Sequence, residues 1–173
     1  IAAVKQGVYS NYDTDLFVHL MTKVASLAGV SIGANEESDV ALRVIADHAR
    51  ATGFLIADGV MPSNEERGYV LRRVMRRAIR YGVKIGMEKP FLWSVVDTLV
   101  ETMGDNYPEL RQRSEFIREV VRAEEDRFRE TLDKGLQLLD QAFSKLQDDG
   151  ELPGNTAFKL HDTFGFPLDL TQL

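Results

Sequence analysis

At 173 residues the chain is long enough to bury roughly 70% of its unfolded surface, as one compact unit or two small packed subdomains, without a metal or disulfide staple. Cysteine is absent and the formal net charge is -6, which excludes a disulfide framework, a thiolate nucleophile or metal site, and a general polycation. No run of about 18 or more apolar residues and no signal-peptide pattern occurs, so the chain reads as soluble; a cytoplasmic location and no membrane partner are the expectation. It opens on IAAV without an initiator Met, which suggests a piece of a longer protein.

Residues 1–4 read as the end of a helix, followed by the turn-rich QGVYSNYDTD. A helix is predicted from Asp13 to Asp15 through Gly29, with Leu16, Phe17, Leu20, Val24 and Leu27 at helical spacing. Gly33 to Ser38 form a polar connection, and Asp39 to Ala57 should be a largely buried helix through Val40, Leu42, Val44, Ile45, Ala49, Phe54, Leu55 and Ile56. His48 lies inside it, and without an HxxxH or HExxH pattern it reads as a hydrogen-bonded structural histidine rather than a ligand.

Asp58-Gly59 turns the chain into MPSNEERGYVLRRVMRRAIRYG, residues 61–82, around which the rest is organised. Pro62, Ser63 and Asn64 are turn and cap residues, and Glu65-Glu66 puts negative charge where a helix N-terminus favours it, so a helix should begin near Ser63 to Glu65. At about 100° per residue, Leu71, Val74, Met75, Ala78 and Ile79 converge on one side, and Arg72, Arg73, Arg76, Arg77, Arg80 and Lys84 on the other. A solvated face is the bland alternative. Yet such faces usually mix signs, and no Asp or Glu occurs from Arg67 to Met87. Arginine is also the planar, bidentate donor suited to phosphate. A local docking surface for a polyanion is the better reading.

Gly86 ends that helix and Lys89-Pro90 opens the next, whose Phe91, Leu92, Val95, Val96, Leu99 and Val100 supply core. Trp93 either stacks on a base or, more commonly for a single aromatic among apolar neighbours, belongs to the core. Gly104 to Pro108 is a turn. From Arg113 to about Gln147 one long helix is expected, a strut packed on its own domain through Val120, Leu132, Leu136, Leu139 and Phe143. A coiled-coil dimer is the alternative, but its seam would have to hold Glu124, Thr131 and Gly135. The run EEDRFRE reads as a solvated charged face. Asp148-Asp149-Gly150 and Pro153-Gly154 then break the chain, and Asn155 or Thr156 caps a short helix stopped by Gly165 and Pro167. Asp162 falls at its end, where the helix dipole gives a carboxylate no help. It is either a functional position or an acceptor for its own turn. The fold class is therefore all-α, with a main helical domain over residues 1–150 and a short terminal subdomain over 151–173.

The string DGVMPSNEERGYVLRRVMRRAIRYG, preceded by RVIADHARATGFLIADG and followed near the end by FKLHDTFGFPLDLT, resembles the helical tRNA-recognition region of alanyl-tRNA synthetases, over essentially the whole chain. The resemblance implies that Asn64 and Asp162 read a G·U wobble pair in the acceptor stem of tRNA(Ala), while Arg72, Arg73, Arg76, Arg77, Arg80 and Lys84 hold the RNA backbone. Wobble displacement leaves the guanine 2-amino group without its usual partner in the wide minor groove of A-form RNA, where a carboxylate can accept from it. Where the family commonly shows Tyr in YDTYGFP, this chain has His161 and Phe164, which removes two phenolic hydroxyls beside Asp162. The resemblance further implies a parent ligase whose catalytic core uses ATP and Mg2+ and whose editing domain binds zinc. Neither belongs to this chain, in which no catalytic, cofactor-binding or metal-binding residue is expected and which alone should not aminoacylate. A helical protein-interaction module, and an RNA binder indifferent to G·U, are the competing readings.

Overall fold

A computed structural model describes residues 1–144 and 152–158. Among them the fold is all-α, with no strand. The helices are α1 (Ala2–Gln6), α2 (Asp15–Ala28), α3 (Glu36–Ala57), α4 (Glu66–Lys84), α5 (Leu92–Met103), α6 (Pro108–Gln112) and α7 (Ser114–Phe143), with a 3-10 turn at Asn11–Asp13. The chain forms two compact units, Ile1–Glu125 and Asp126–Leu173.

In the first unit α3 is the central element and packs against α2, α4 and α5. Its core positions, Ala41, Leu42, Ile45, Ala46, Ala49 and Ile56, are inaccessible to solvent. The helix begins three residues before the expected Asp39 because Asn35 caps it, accepting from Ser38 N at 2.8 Å, which draws the polar Glu36-Glu37 into the first turn where the dipole favours them. At the other end, Arg113 donates to Ala57 O at 2.9 Å, and Gly59 takes a positive φ of 87° that carries the chain out toward α4. α2 ends on Gly29 as expected, in the left-handed conformation with φ 67°. Leu20 and Val24 are fully buried, whereas Leu16 and Leu27, expected on the same apolar face, lie at its margin and are exposed.

Two close approaches seal α4 and α5 into this unit. The ring of Phe91 lies where a side chain on Gly82 would be, 2.3 Å from an ideal Cβ, and Leu99 occupies the corresponding space beside Gly53 at 2.5 Å. α5 begins at Leu92 rather than at Lys89-Pro90, and its N-terminus is closed from a distance: the Glu125 carboxylate accepts from Phe91 N at 3.0 Å and Leu92 N at 2.8 Å. Glu125 is fully buried and Glu124 is 3% exposed, so the start of EEDRFRE is not the solvated face its composition suggested. Both carboxylates have tertiary partners that compensate their desolvation, Glu125 the α5 amides and Glu124 two arginines of α4. The first part of α7 is also anchored by Ile117 and Val121, both inaccessible.

In the second unit, α7 continues with Phe128, Leu132 and Leu139 buried, while Leu136 and Phe143 are exposed. The described residues resume at 152, and residues 154–158 are helical. The expected boundary at residue 150, and Asp162 with His161 and Phe164, lie outside the described residues.

Candidate nucleic-acid interface

The connection from α3 to α4 is held by its own side chains. Ser63 Oγ donates to Glu65 O at 2.9 Å and accepts from Glu65 N at 3.3 Å. The turn lies directly on α4: an ideal Cβ on Gly68 would stand 2.2 Å from Ser63 Oγ and 2.4 Å from Met61 O. Only glycine permits that approach. Glu66, the first residue of α4, has a φ of 47°, the one left-handed non-glycine backbone among the described residues. The turn is thus set tightly against the helix, and Asn64 projects from it at the N-terminal end of α4.

The opposite side of α4 packs as its periodicity requires at Leu71, Met75, Ala78 and Ile79, which are inaccessible, whereas Val74, expected on the same face, is half-buried. The cationic side, expected as a single face, divides into two rows. Arg73 and Arg77 are exposed, four residues apart, whereas Arg72, Arg76 and Arg80, also four apart, are half-buried. A step of about 100° between neighbours accounts for the division. The exposed row is interleaved with tyrosines. Arg73 stands over Tyr69 with its guanidinium carbon 5.7 Å from the ring centroid, and Arg77 stands over Tyr81 at 5.9 Å, with Arg80 on the same ring at 5.6 Å. Each of Tyr69–Arg73 and Arg77–Tyr81 is an i,i+4 pair, so the four side chains form one outward stripe. Among the described residues no carboxylate pairs with Arg73 or Arg77.

In the inner row, Arg72 and Arg76 meet a carboxylate that the local sequence does not contain. Arg76 Nε donates to Glu124 Oε1 at 3.1 Å. Arg72 Nε lies 3.1 Å from the same oxygen, but its N–H is not aligned on it, so that contact is Coulombic rather than a formed hydrogen bond. The Arg72 fork is otherwise engaged with the turn: Nη1 donates to Asn64 Oδ1 and Nη2 to Pro62 O at 3.3 Å. Lys84 pairs with Glu37 of α3 at 2.8 Å. The hydrogen bond and charge of Glu37 hold the Lys84 ammonium above its ordinary pKa.

Of the residues expected to act, Asn64 and the six cations therefore share one region of α4 and its preceding turn, while Asp162 lies outside the described residues. Glu124, Gly68, Tyr69 and Tyr81 were not singled out from sequence. The two tyrosines were readable from their four-residue spacing to Arg73 and Arg77, whereas Glu124 meets α4 only through tertiary packing. His48 is hydrogen-bonded to neighbouring Asp47 at 2.9 Å, and Trp93 is half-buried with Arg122 over its ring at 6.0 Å. Among the described residues no group of three His, Asp or Glu side chains could hold a metal ion, and no helix is long and apolar enough to cross a membrane. An outward row of arginines and tyrosines can track phosphates and stack on sugars or bases, and a polar side chain at its end can read a base edge.

Residues 1–173 match the family model described as tRNA synthetases class II (A). Among curated proteins, the chain is similar to the alanine–tRNA ligases of Lawsonia intracellularis, 58% identical over 172 residues, and Nitratidesulfovibrio vulgaris, 54% identical over 174 residues. That of Carboxydothermus hydrogenoformans is 51% identical over 174 residues. These matches cover 98% to 99% of the chain and 20% of each relative, so the chain spans about a fifth of the length of the curated relatives it matches.

Proposed function

The chain belongs to the class II (A) tRNA synthetases, and from that membership and the outer face of α4 we propose that it recognises the acceptor stem of tRNA(Ala) for a parent alanine–tRNA ligase. The observation that carries this reading is the stripe Tyr69, Arg73, Arg77 and Tyr81, exposed or half-exposed on a helix whose N-terminal turn presents Asn64. Arg73 and Arg77 contact phosphates. Arg72, Arg76, Arg80 and Lys84 add to the positive potential of the same face. Backbone contacts of this kind set position and affinity, while Asn64, with Asp162 from the terminal segment, reads the G·U wobble pair.

In this reading the chain works beside the catalytic and editing domains of the same cytoplasmic parent. ATP and Mg2+ act in the catalytic domain and zinc in the editing domain, and the isolated chain forms no alanyl-adenylate. The test is a salt series of binding to an acceptor-stem hairpin. The double substitution Arg73→Met and Arg77→Met should lower affinity alike for G·U and G·C stems and reduce the slope of log K against log salt by about 1 to 2. An unchanged slope would remove α4 from the interface. Absence of salt-dependent RNA binding would favour a protein-interaction module.

A further inference from the structure

We propose that Arg72 and Glu124 are positioning residues that lock the side-chain amide of Asn64 in one orientation, with Oδ1 held against Arg72 and the Nδ2 donors presented to RNA. This inference rests on the reading of Asn64 as a base-contacting residue and specifies what it reads. An unconstrained asparagine carries an acceptor and two donors on nearly isosteric ends. By flipping, it accepts either polarity of base edge and discriminates poorly. Arg72 removes that freedom because a guanidinium has only donors: the end of Asn64 that faces it must be Oδ1, as observed. The same guanidinium binds Pro62 O at 3.3 Å, so the fork grips the turn backbone and the side chain together. Nδ2 is left as the outward pole, and its N–H groups are polarised by the cation on the carbonyl.

Glu124 is what makes the grip rigid. The Arg72 side chain is 15% exposed and would gain by moving its charge into water, but the 3%-exposed Glu124 carboxylate sits 3.1 Å from its Nε. Arg76 holds the same oxygen through an aligned hydrogen bond at 3.1 Å. A carboxylate on α7 thus reaches the turn before α4 through one arginine. The target of Asn64 is an acceptor on a base edge, a carbonyl oxygen or an unprotonated ring nitrogen. Arg72, committed to the turn, does not act chiefly as a phosphate contact.

The test uses the full 173-residue chain labelled with 15N, with Glu124→Gln, Arg72→Lys and Asn64→Ala, each confirmed as folded by circular dichroism. In the free protein the Asn64 side-chain NH2 resonances should lie away from free-amide positions and move toward them in both Glu124→Gln and Arg72→Lys. Binding to hairpins carrying G·U or G·C should show the G·U preference falling about fivefold or more in these variants, with the salt slope unchanged. Neither substitution should lower the preference further in the Asn64→Ala background. Amide resonances indifferent to both substitutions, or losses that add to Asn64→Ala, would overturn the lock while leaving Asn64 as a reader. Resonances that respond as expected, together with an Asn64→Ala variant that keeps its G·U preference, would instead refute the reading of Asn64 and with it the proposed specificity.

Discussion

Replacing Gly68 with alanine tests whether the approach of the turn to α4 positions Asn64. The added Cβ would stand 2.2 Å from Ser63 Oγ and 2.4 Å from Met61 O. Ser63 can rotate away, but Met61 O is backbone, so the turn must retreat by about 1 Å to reach ordinary contact. Overpacking of this kind costs about 1–3 kcal/mol, and the better helix propensity of alanine returns about 1 kcal/mol. The net loss is then about 0–2 kcal/mol, which for a chain of this size lowers Tm by up to about 8 °C. The functional effect should exceed the stability effect, because a 1 Å retreat carries Asn64 away from Arg72 and from any base it contacts, and misplacement on that scale is expensive in a hydrogen-bonded site. Thermal unfolding by circular dichroism and hairpin binding read the two effects separately. A Gly68→Ala variant with Tm at or above wild type and an intact G·U preference would refute the reasoning.

Glu125→Ala should lower stability by about 2–4 kcal/mol, visible as a marked drop in Tm, because it orphans the Phe91 and Leu92 amides in a site closed to water. Glu66→Gly should be neutral or stabilising by up to about 1 kcal/mol in denaturant unfolding: it relieves a left-handed non-glycine backbone at φ 47° but pays part of the gain in unfolded-state entropy. Lys84→Met should leave Tm unchanged, since the Lys84–Glu37 pair is 57% and 65% exposed and such surface pairs contribute little.

The architecture of α4 was legible because its signals are local. The spacing of Leu71, Met75, Ala78 and Ile79 fixes a buried side whatever they pack against, and all four are inaccessible. Gly29 similarly marked the end of α2, where its left-handed backbone is used. The division of the cations into Arg73 and Arg77 outside, and Arg72, Arg76 and Arg80 half-buried, follows from the same periodicity but was masked by treating one charge type as one face. The role of EEDRFRE was not legible. A carboxylate-rich run reads as solvated unless its partners are known, and those of Glu124 lie 48 and 52 residues away in sequence and those of Glu125 33 and 34. Asn35 as the cap of α3 was available from the Asn35 to Ser38 spacing, but the polar Glu36-Glu37-Ser38 run resembled a connection more than a first turn.

The central claim is that a reader at the head of a cationic helix selects one base pair. Its most direct measurement is the ratio of Kd values for two acceptor-stem hairpins that differ only in G·U against G·C, in the wild-type chain and in Asn64→Ala at one salt concentration. Direct readout worth about 1–3 kcal/mol predicts a wild-type preference for G·U of roughly five- to 150-fold. That preference should fall toward unity in Asn64→Ala while G·C binding is unchanged. Equal affinities in the wild type, or an Asn64→Ala variant that discriminates as well as its parent, would contradict the account.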